Sequence, residues 1–201
     1  YRIISRVGAG GMGLVYKAED ETLGRVVAIK TLHTEALSDD FRKRFAVEAR
    51  NMAKIDHRNV AKVYEADEIE ISGRVHPYMV MHYYSGEDLN EYLKRLAPLS
   101  IEDTSRIVCG VCNGVAALHS FPILHRDLKP ANVKLTTDHE GPVVKVLDFG
   151  VSKATQTDAE LTAHGMLVGT VHYMAPELFE YAETSEASDQ YAIGVLLYLC
   201  V

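Results

Sequence analysis

Residues 1–33 alternate apolar and polar positions around a glycine-rich turn. Ile3 and Val7, then Leu14 to Ala18, then Arg25 to Leu32, each fit a strand with one buried face, so three antiparallel strands are expected. The period then changes. Phe41, Phe45, Glu48, Ala49 and Met52 recur at helical spacing. They predict a helix through about Ile55, with Asp39 and Asp40 in its first turn. Ala61 to Ile71 and Val75 to Met81 predict two more strands joined at Ser72-Gly73. Tyr83-Tyr84-Ser85-Gly86 reads as a hinge. Leu89 to Leu96 predicts a short helix, and Ser100-Ile101-Glu102-Asp103 resembles a capping box opening a long helix that ends near His119. The stretch after it is loop-rich, with the motif-bearing residues 125–150 in one short loop-strand-loop unit, and Ser188 to Val201 reads as a strongly apolar helix. No internal repeat or low-complexity segment interrupts the pattern.

At 201 residues the chain can bury a sizeable core, as one domain or two small lobes. Its 47% hydrophobic and 24% charged residues are those of an ordered globular chain, which excludes intrinsic disorder. No apolar run reaches membrane-span length, and no signal-peptide pattern opens the chain. The net charge of −7 argues against a nucleic-acid partner. Residues 1–81 are nearly neutral, with 13 Lys and Arg against 12 Asp and Glu, so the excess acid lies in residues 82–201. That acidity is either a solvated surface or a face for basic substrate segments. Cys109-x-x-Cys112 lies inside the long helical pattern, where i and i+3 share a face. The pair is expected to be buried small apolar residues rather than a zinc or redox site. Few cysteines fit a reducing cytosol, so a cytoplasmic location is expected.

Candidate chemistry concentrates in His125-Arg126-Asp127-Leu128-Lys129-Pro130-Ala131-Asn132 and in Asp148-Phe149-Gly150. Asp127 can orient a hydroxyl and accept its proton. Asn132 and Asp148 are hard oxygen donors suited to Mg²⁺. Lys129 brings positive charge to a phosphoryl group in transfer. Phosphoryl transfer needs mainly positioning and charge neutralisation, which these four side chains supply.

Further motifs stand in matching order along the chain. Gly8-Ala9-Gly10-Gly11-Met12-Gly13-Leu14-Val15-Tyr16 resembles a glycine-rich phosphate loop, and the strand-like Leu14 to Ala18 distinguishes it from a dinucleotide-binding turn, which a helix would follow. Val27-Ala28-Ile29-Lys30 resembles the strand-three lysine motif, with Glu48 at the place of the lysine's partner; Arg44 and Arg50 compete for Glu48. Ala175-Pro176-Glu177 resembles the close of an activation segment. Together these residues resemble the catalytic domain of eukaryotic-type protein Ser/Thr kinases, in a bacterial-type form.

The resemblance implies an α+β, bilobal protein-kinase fold. Residues 1–81 would form the N-lobe, a five-stranded antiparallel sheet with one helix. Residues 82–86 would be the hinge, and 87–201 a mainly helical C-lobe, incomplete after helix F. It implies ATP as cofactor, with Mg²⁺ or alternatively Mn²⁺, and protein substrates with Ser/Thr acceptors. Val7, Gly8, Ala9, Gly10, Gly11, Met12, Gly13, Val15, Ala28, Lys30, Met81, His82, Tyr84, Asp88 and Lys134 would contact the nucleotide. Met81 would be the gatekeeper, and backbone groups of His82 and Tyr84 would bond the adenine edge. Asp88 suits either the ribose hydroxyls or a helix N-terminus. Asp127, Lys129, Lys30 and Glu48 would be catalytic, and Asn132 and Asp148 metal ligands. Arg126 would receive a phosphorylated activation-segment residue, from Thr162 first, then Thr155 and Thr157. Thr170 with Lys129 marks Ser/Thr specificity. His125, Phe149, Met52 and Val63 would stack as a spine, and Asp189 would anchor the catalytic loop or serve as an ordinary carboxylate at a helix N-terminus. Lys134 departs from the apolar residue usual on the adenine floor. The family's further helices, and the arginine expected to pair with Glu177, have no counterpart before Val201. The chain therefore reads as a fragment whose last helix lacks its cover, and a longer protein can carry a membrane anchor. Two rival classes are a silent kinase fragment or pseudokinase serving as an interaction module, and a small-molecule phosphotransferase. The presence of Lys30, Asp127 and Asp148 opposes the first, and Ala175-Pro176-Glu177 the second.

Overall fold

The computed structural model describes residues 1–10, 13–32, 39–71, 73–149, 171–180 and 184–201. The chain divides into two compact units, Tyr1–Asp56 with Lys62–Tyr83, and His57–Ala61 with Tyr84–Val201.

The first unit is an antiparallel sheet of β1 (Arg2–Gly10), β2 (Gly13–Asp20), β3 (Arg25–Leu32), β4 (Val63–Ile71) and β5 (Arg74–His82), ordered β1-β2-β3-β5-β4. Ala18, Val27, Ile29 and Val80 form a buried cluster, with Tyr64 and Tyr78 packed on it. Where β2 begins, its backbone closely approaches that of β3. A Cβ on Gly13 would lie 1.8 Å from the Thr31 carbonyl oxygen, so only glycine fits. Helix α1 (Asp39–Ala53) packs along β4 through Phe45, Ala49 and Met52, all buried, as the helical spacing predicted. The side chains of Phe41, expected on the same inner face, and of the rival partner Arg44 lie outside those described. Strand β4 opens at Val63 rather than Ala61, because the Ala61 N–H is committed to the Val146 carbonyl at 2.9 Å.

The second unit holds β6 (Glu87–Asp88), α2 (Leu89–Leu96), α3 (Ile101–His119), β7 (Val133–Asp138), β8 (Gly141–Val146), α4 (Glu177–Glu180) and α5 (Glu186–Cys200). In the three-stranded sheet β6-β7-β8, the β7–β8 hairpin supplies two strands where the sequence predicts one between loops. Helix α3 packs closely on β8, because Gly110 and Gly114 face Val144 and Val146. Residues 57–61 also lie on β8: Val146 donates to the Asn59 carbonyl at 2.8 Å, and Asn59 Nδ2 donates to the Val144 carbonyl at 2.9 Å. Arg58 forks onto Asp138 at 3.0 and 3.1 Å and reaches Glu140 at 3.1 Å.

Two expectations are corrected. Helix α5 starts at Glu186, not Ser188, because Ser185 and Ser188 form a reciprocal capping box. Cys109 and Cys112 are exposed, not buried. The inner stripe of α3 is Ile107, Gly110, Val111, Gly114, Val115 and Leu118, and both cysteines fall beside it. Ser188, Asp189, Ala192, Leu196 and Cys200 of α5 are buried, whereas Tyr198 is 77% exposed. Among the described residues, no helix is long and apolar enough to cross a membrane.

Candidate active site

In the second unit the loop 125–132 is built from below by α5. Asp189 is buried, and its carboxylate accepts the backbone N–H of His125 at 2.8 Å and of Arg126 at 3.0 Å. His119 Nε2 reaches the same carboxylate at 2.9 Å. Of the two roles open to Asp189, these bonds fit the anchor that the resemblance implies.

His125 is 1% exposed. Its Nδ1 accepts the Asp127 N–H at 3.3 Å, so Nε2 carries the proton and donates to the Leu147 carbonyl at 3.0 Å. Burial pushes its pKa down, against the pull of Asp189, Asp127 and Asp148, and keeps the ring neutral. The ring meets Phe149 edge to face, centroids 6.4 Å apart. Met52 and Val63, the other two expected spine residues, are buried within the first unit.

Asp127 is nearly enclosed, with its side chain 13% exposed. Its Oδ2 accepts Lys129 Nζ at 2.7 Å and Asn132 Nδ2 at 3.2 Å, and its main-chain carbonyl accepts Asn132 Nδ2 at 2.8 Å. Pro130 begins the 3₁₀ turn Pro130–Asn132 that brings Asn132 back to Asp127. The amide nitrogen of Asn132 is therefore engaged, and its carbonyl oxygen Oδ1 is left as the donor for a cation.

Val133 pairs with Val146, and the Leu147 N–H donates to the Asn132 carbonyl at 2.8 Å. Asp148 follows directly, in the left-handed region at φ 55°. Arg126 is held at φ 64°. One of these residues precedes Asp127 and the other bears the second carboxylate, and such backbone strain clusters at functional sites. Asn132 and Asp148 are two hard oxygen donors, a set that fits a divalent cation whose remaining ligands come from phosphate oxygens and water. Among the described residues, no cluster of three His, Cys, Asp or Glu forms an all-protein cage.

In the first unit, register places Gly8 opposite Val15, Val15 opposite Lys30 and Lys30 opposite Met79, while Ala28 lies opposite Met81. Directly opposed residues, and those two apart, share a face. One sheet face therefore carries Gly8, Val15, Ala28, Lys30 and Met81. Val7 is exposed, and Ala9 and Gly10 continue β1 opposite Leu14 and Gly13. Glu48 is half-buried on α1. Asp88 takes the helix-terminal role, its Oδ1 accepting the Glu91 N–H at 2.9 Å as N-cap of α2. Lys134 stands opposite Asp88 on one side and Lys145 on the other. Gly11, Met12, Thr155, Thr157, Thr162 and Thr170 lie outside the described residues.

Sequence reasoning missed the docking of 57–61 on β8 by Arg58 and Asn59; a polar His57-Arg58-Asn59 carries no periodic signal.

Residues 1–201 match the family described as the protein kinase domain. The chain is similar to the serine/threonine-protein kinase PknA of Mycobacterium tuberculosis, 38% identical over 203 residues, covering 100% of this chain and 46% of the relative. It is 38% identical to the probable serine/threonine-protein kinase PknB of Lactococcus lactis, covering 98% of this chain and 31% of that protein. It is 34% identical to the probable serine/threonine-protein kinase CE0033 of Corynebacterium efficiens, covering 98% and 30%. The chain thus spans less than half the length of these relatives.

Proposed function

We propose, from the premise that this chain belongs to the protein kinase family, that the protein transfers the γ-phosphate of Mg·ATP to serine and threonine hydroxyls of proteins. The family uses ATP and a divalent cation, acts on proteins, and the curated relatives carry serine/threonine-kinase names.

The observation that carries the reading is Asp127 Oδ2, held between Lys129 at 2.7 Å and Asn132 at 3.2 Å. A carboxylate so fixed orients an acceptor hydroxyl and takes its proton while the new bond to the γ-phosphorus forms and the bridging bond to the β-phosphate breaks. Lys129 sits close enough to Asp127 to steady the negative charge of the transferring group. Asn132 and Asp148 hold Mg²⁺, which supplies charge neutralisation at the phosphates. Lys30 holds the α- and β-phosphates with Glu48 behind it, and the 8–13 loop donates N–H bonds to the phosphates. Val15, Ala28, Met81 and Lys134 cover the base, while His82 and Tyr84 backbone groups bond its edge. Residues 1–81 act as the N-lobe, 82–86 as the hinge and 87–201 as part of the C-lobe. Arg126 receives a phosphorylated residue from Thr162, Thr155 or Thr157, and Thr170 shapes the acceptor site. A need for ATP points to the cytoplasm.

The test is incubation of the intact protein with γ-labelled ATP and Mg²⁺ beside Ser/Thr and Tyr peptides. Label on serine or threonine alone is expected. Label on no protein or peptide substrate, or on tyrosine alone, rejects the reading.

A further inference from the structure

Residues 83–86 belong to no strand or helix, so no backbone ladder orders them. The chain passes from one unit to the other between Tyr83 and Tyr84. Order in such a segment has to come from side chains, because each free residue carries backbone entropy that opposes a fixed conformation.

Three successive side chains there are each held by a different strand. His82 ends β5, where its Nδ1 lies 2.9 Å from the Tyr64 hydroxyl and its ring meets Tyr64 edge-on. Tyr83 lies under Lys17 of β2, with Nζ 4.7 Å from the ring centroid. Tyr84 lies under Lys145 of β8, with Nζ 5.0 Å from its centroid. The first two contacts lie within the first unit and the third within the second. Lys145 also stands directly opposite Lys134 across β7 and β8. Like charges directly opposed repel, and the face of Tyr84 gives the Lys145 ammonium a favourable seat.

We propose that Lys17 and Lys145 are positioning residues for nucleotide binding. Each seats one linker tyrosine by a cation–π contact, so that the linker backbone is ordered before the base arrives. This rests on the assignment of His82 and Tyr84 backbone groups to the base edge. A linker ordered in advance loses less entropy on binding, and the gain falls on affinity rather than on the chemical step. Lys17 stands opposite Ala28, and neither lysine is among the residues assigned above to the phosphates, the metal or the acceptor hydroxyl. Arginine preserves a cation over the ring, whereas methionine keeps the stem and removes the charge.

The test is steady-state kinetics of the intact protein with Lys17→Met, Lys145→Met, Lys17→Arg, Lys145→Arg and the double Met variant. Each Met variant is expected to raise the KM for ATP about two- to fivefold, with kcat within about twofold of wild type on the same scale of effect. The two effects should multiply in the double variant, and the Arg variants should restore the wild-type KM. An ATP KM unmoved by Met substitution, or a fall in kcat with KM unchanged, overturns the proposal. Should Lys145→Met not fold, Lys17→Met, on a separate strand, decides the question alone. A wild-type protein that neither binds nor uses ATP rejects the kinase reading itself. A fully active wild type with Met variants indistinguishable from it rejects only the roles of Lys17 and Lys145.

Discussion

Asp189 Oδ1 accepts the backbone N–H of Arg126 at 3.0 Å, across 63 positions of sequence. Arg126 sits at φ 64°, a conformation that costs a non-glycine residue about 1–3 kcal/mol. A charge-assisted hydrogen bond contributes about 1.5–3 kcal/mol, and Asp189 makes two to this loop, so the anchor outweighs the strain. The next residue is Asp127, whose place is therefore set by α5. Asp189→Asn removes the charge and one of the two acceptors. It should lower kcat about ten- to hundredfold, from the loss of about 1.5–3 kcal/mol of positioning. Peptide-phosphorylation rates measure the loss, and circular dichroism of the same variant should show the fold retained.

Helix α3 depends on two missing side chains. A Cβ on Gly114 would lie 2.7 Å from Val146 Cγ2 and 2.8 Å from the Asn59 carbonyl oxygen, and the latter is backbone that cannot step aside. Gly114→Ala should destabilise the chain by about 1–3 kcal/mol through overpacking. Gly194 of α5 has no atom within 4 Å of its added Cβ, so Gly194→Ala should stabilise by about 0.5–1 kcal/mol through helix propensity. Urea midpoints of the two variants of the 201-residue chain should move in opposite directions.

The first sheet is legible in the sequence because Val, Ile and Tyr alternate with polar residues in β1 to β3, and α1 because Phe45, Ala49 and Met52 keep a strict helical period. The β7–β8 hairpin is legible only as a single strand between loops. Val133-Lys134-Leu135-Thr136-Thr137-Asp138 is short, and what holds it is remote: Asn59, Arg58 and the glycines of α3. The cysteines of α3 mislead for a related reason. Glycines carry no hydropathy signal, so the true inner stripe through Gly110 and Gly114 is invisible and the cysteines read as part of it. The tie of Asp127 to Asn132 and the hold of Asp189 on residues 125 and 126 join residues that each stand in a short motif with its own chemistry. The ties of Lys17 to Tyr83 and Lys145 to Tyr84 join residues 66 and 61 positions apart, and nothing local marks them.

The Arg58 fork carries a pH signature. Its hydrogen bonds hold the Asp138 carboxyl down from 3.8 to about 2. A carboxyl depressed in the folded state adds stability that is fully present above its unfolded pKa of 3.8 and is lost as pH falls through about 2. Arg58→Gln should therefore melt at lower urea than wild type at pH 7, and the gap should close between pH 4 and 2. A gap constant from pH 7 to 2 would contradict this origin of the stability.

The most direct measurement is the single-turnover rate of Asp127→Asn in the intact protein, with Mg·ATP and a serine peptide. The variant keeps the shape of the side chain and an oxygen toward Lys129, but it cannot accept the hydroxyl proton. A loss of about a hundredfold or more, within the range that general-base catalysis contributes, with ATP still bound, is the predicted result. Wild-type turnover in Asp127→Asn would contradict it.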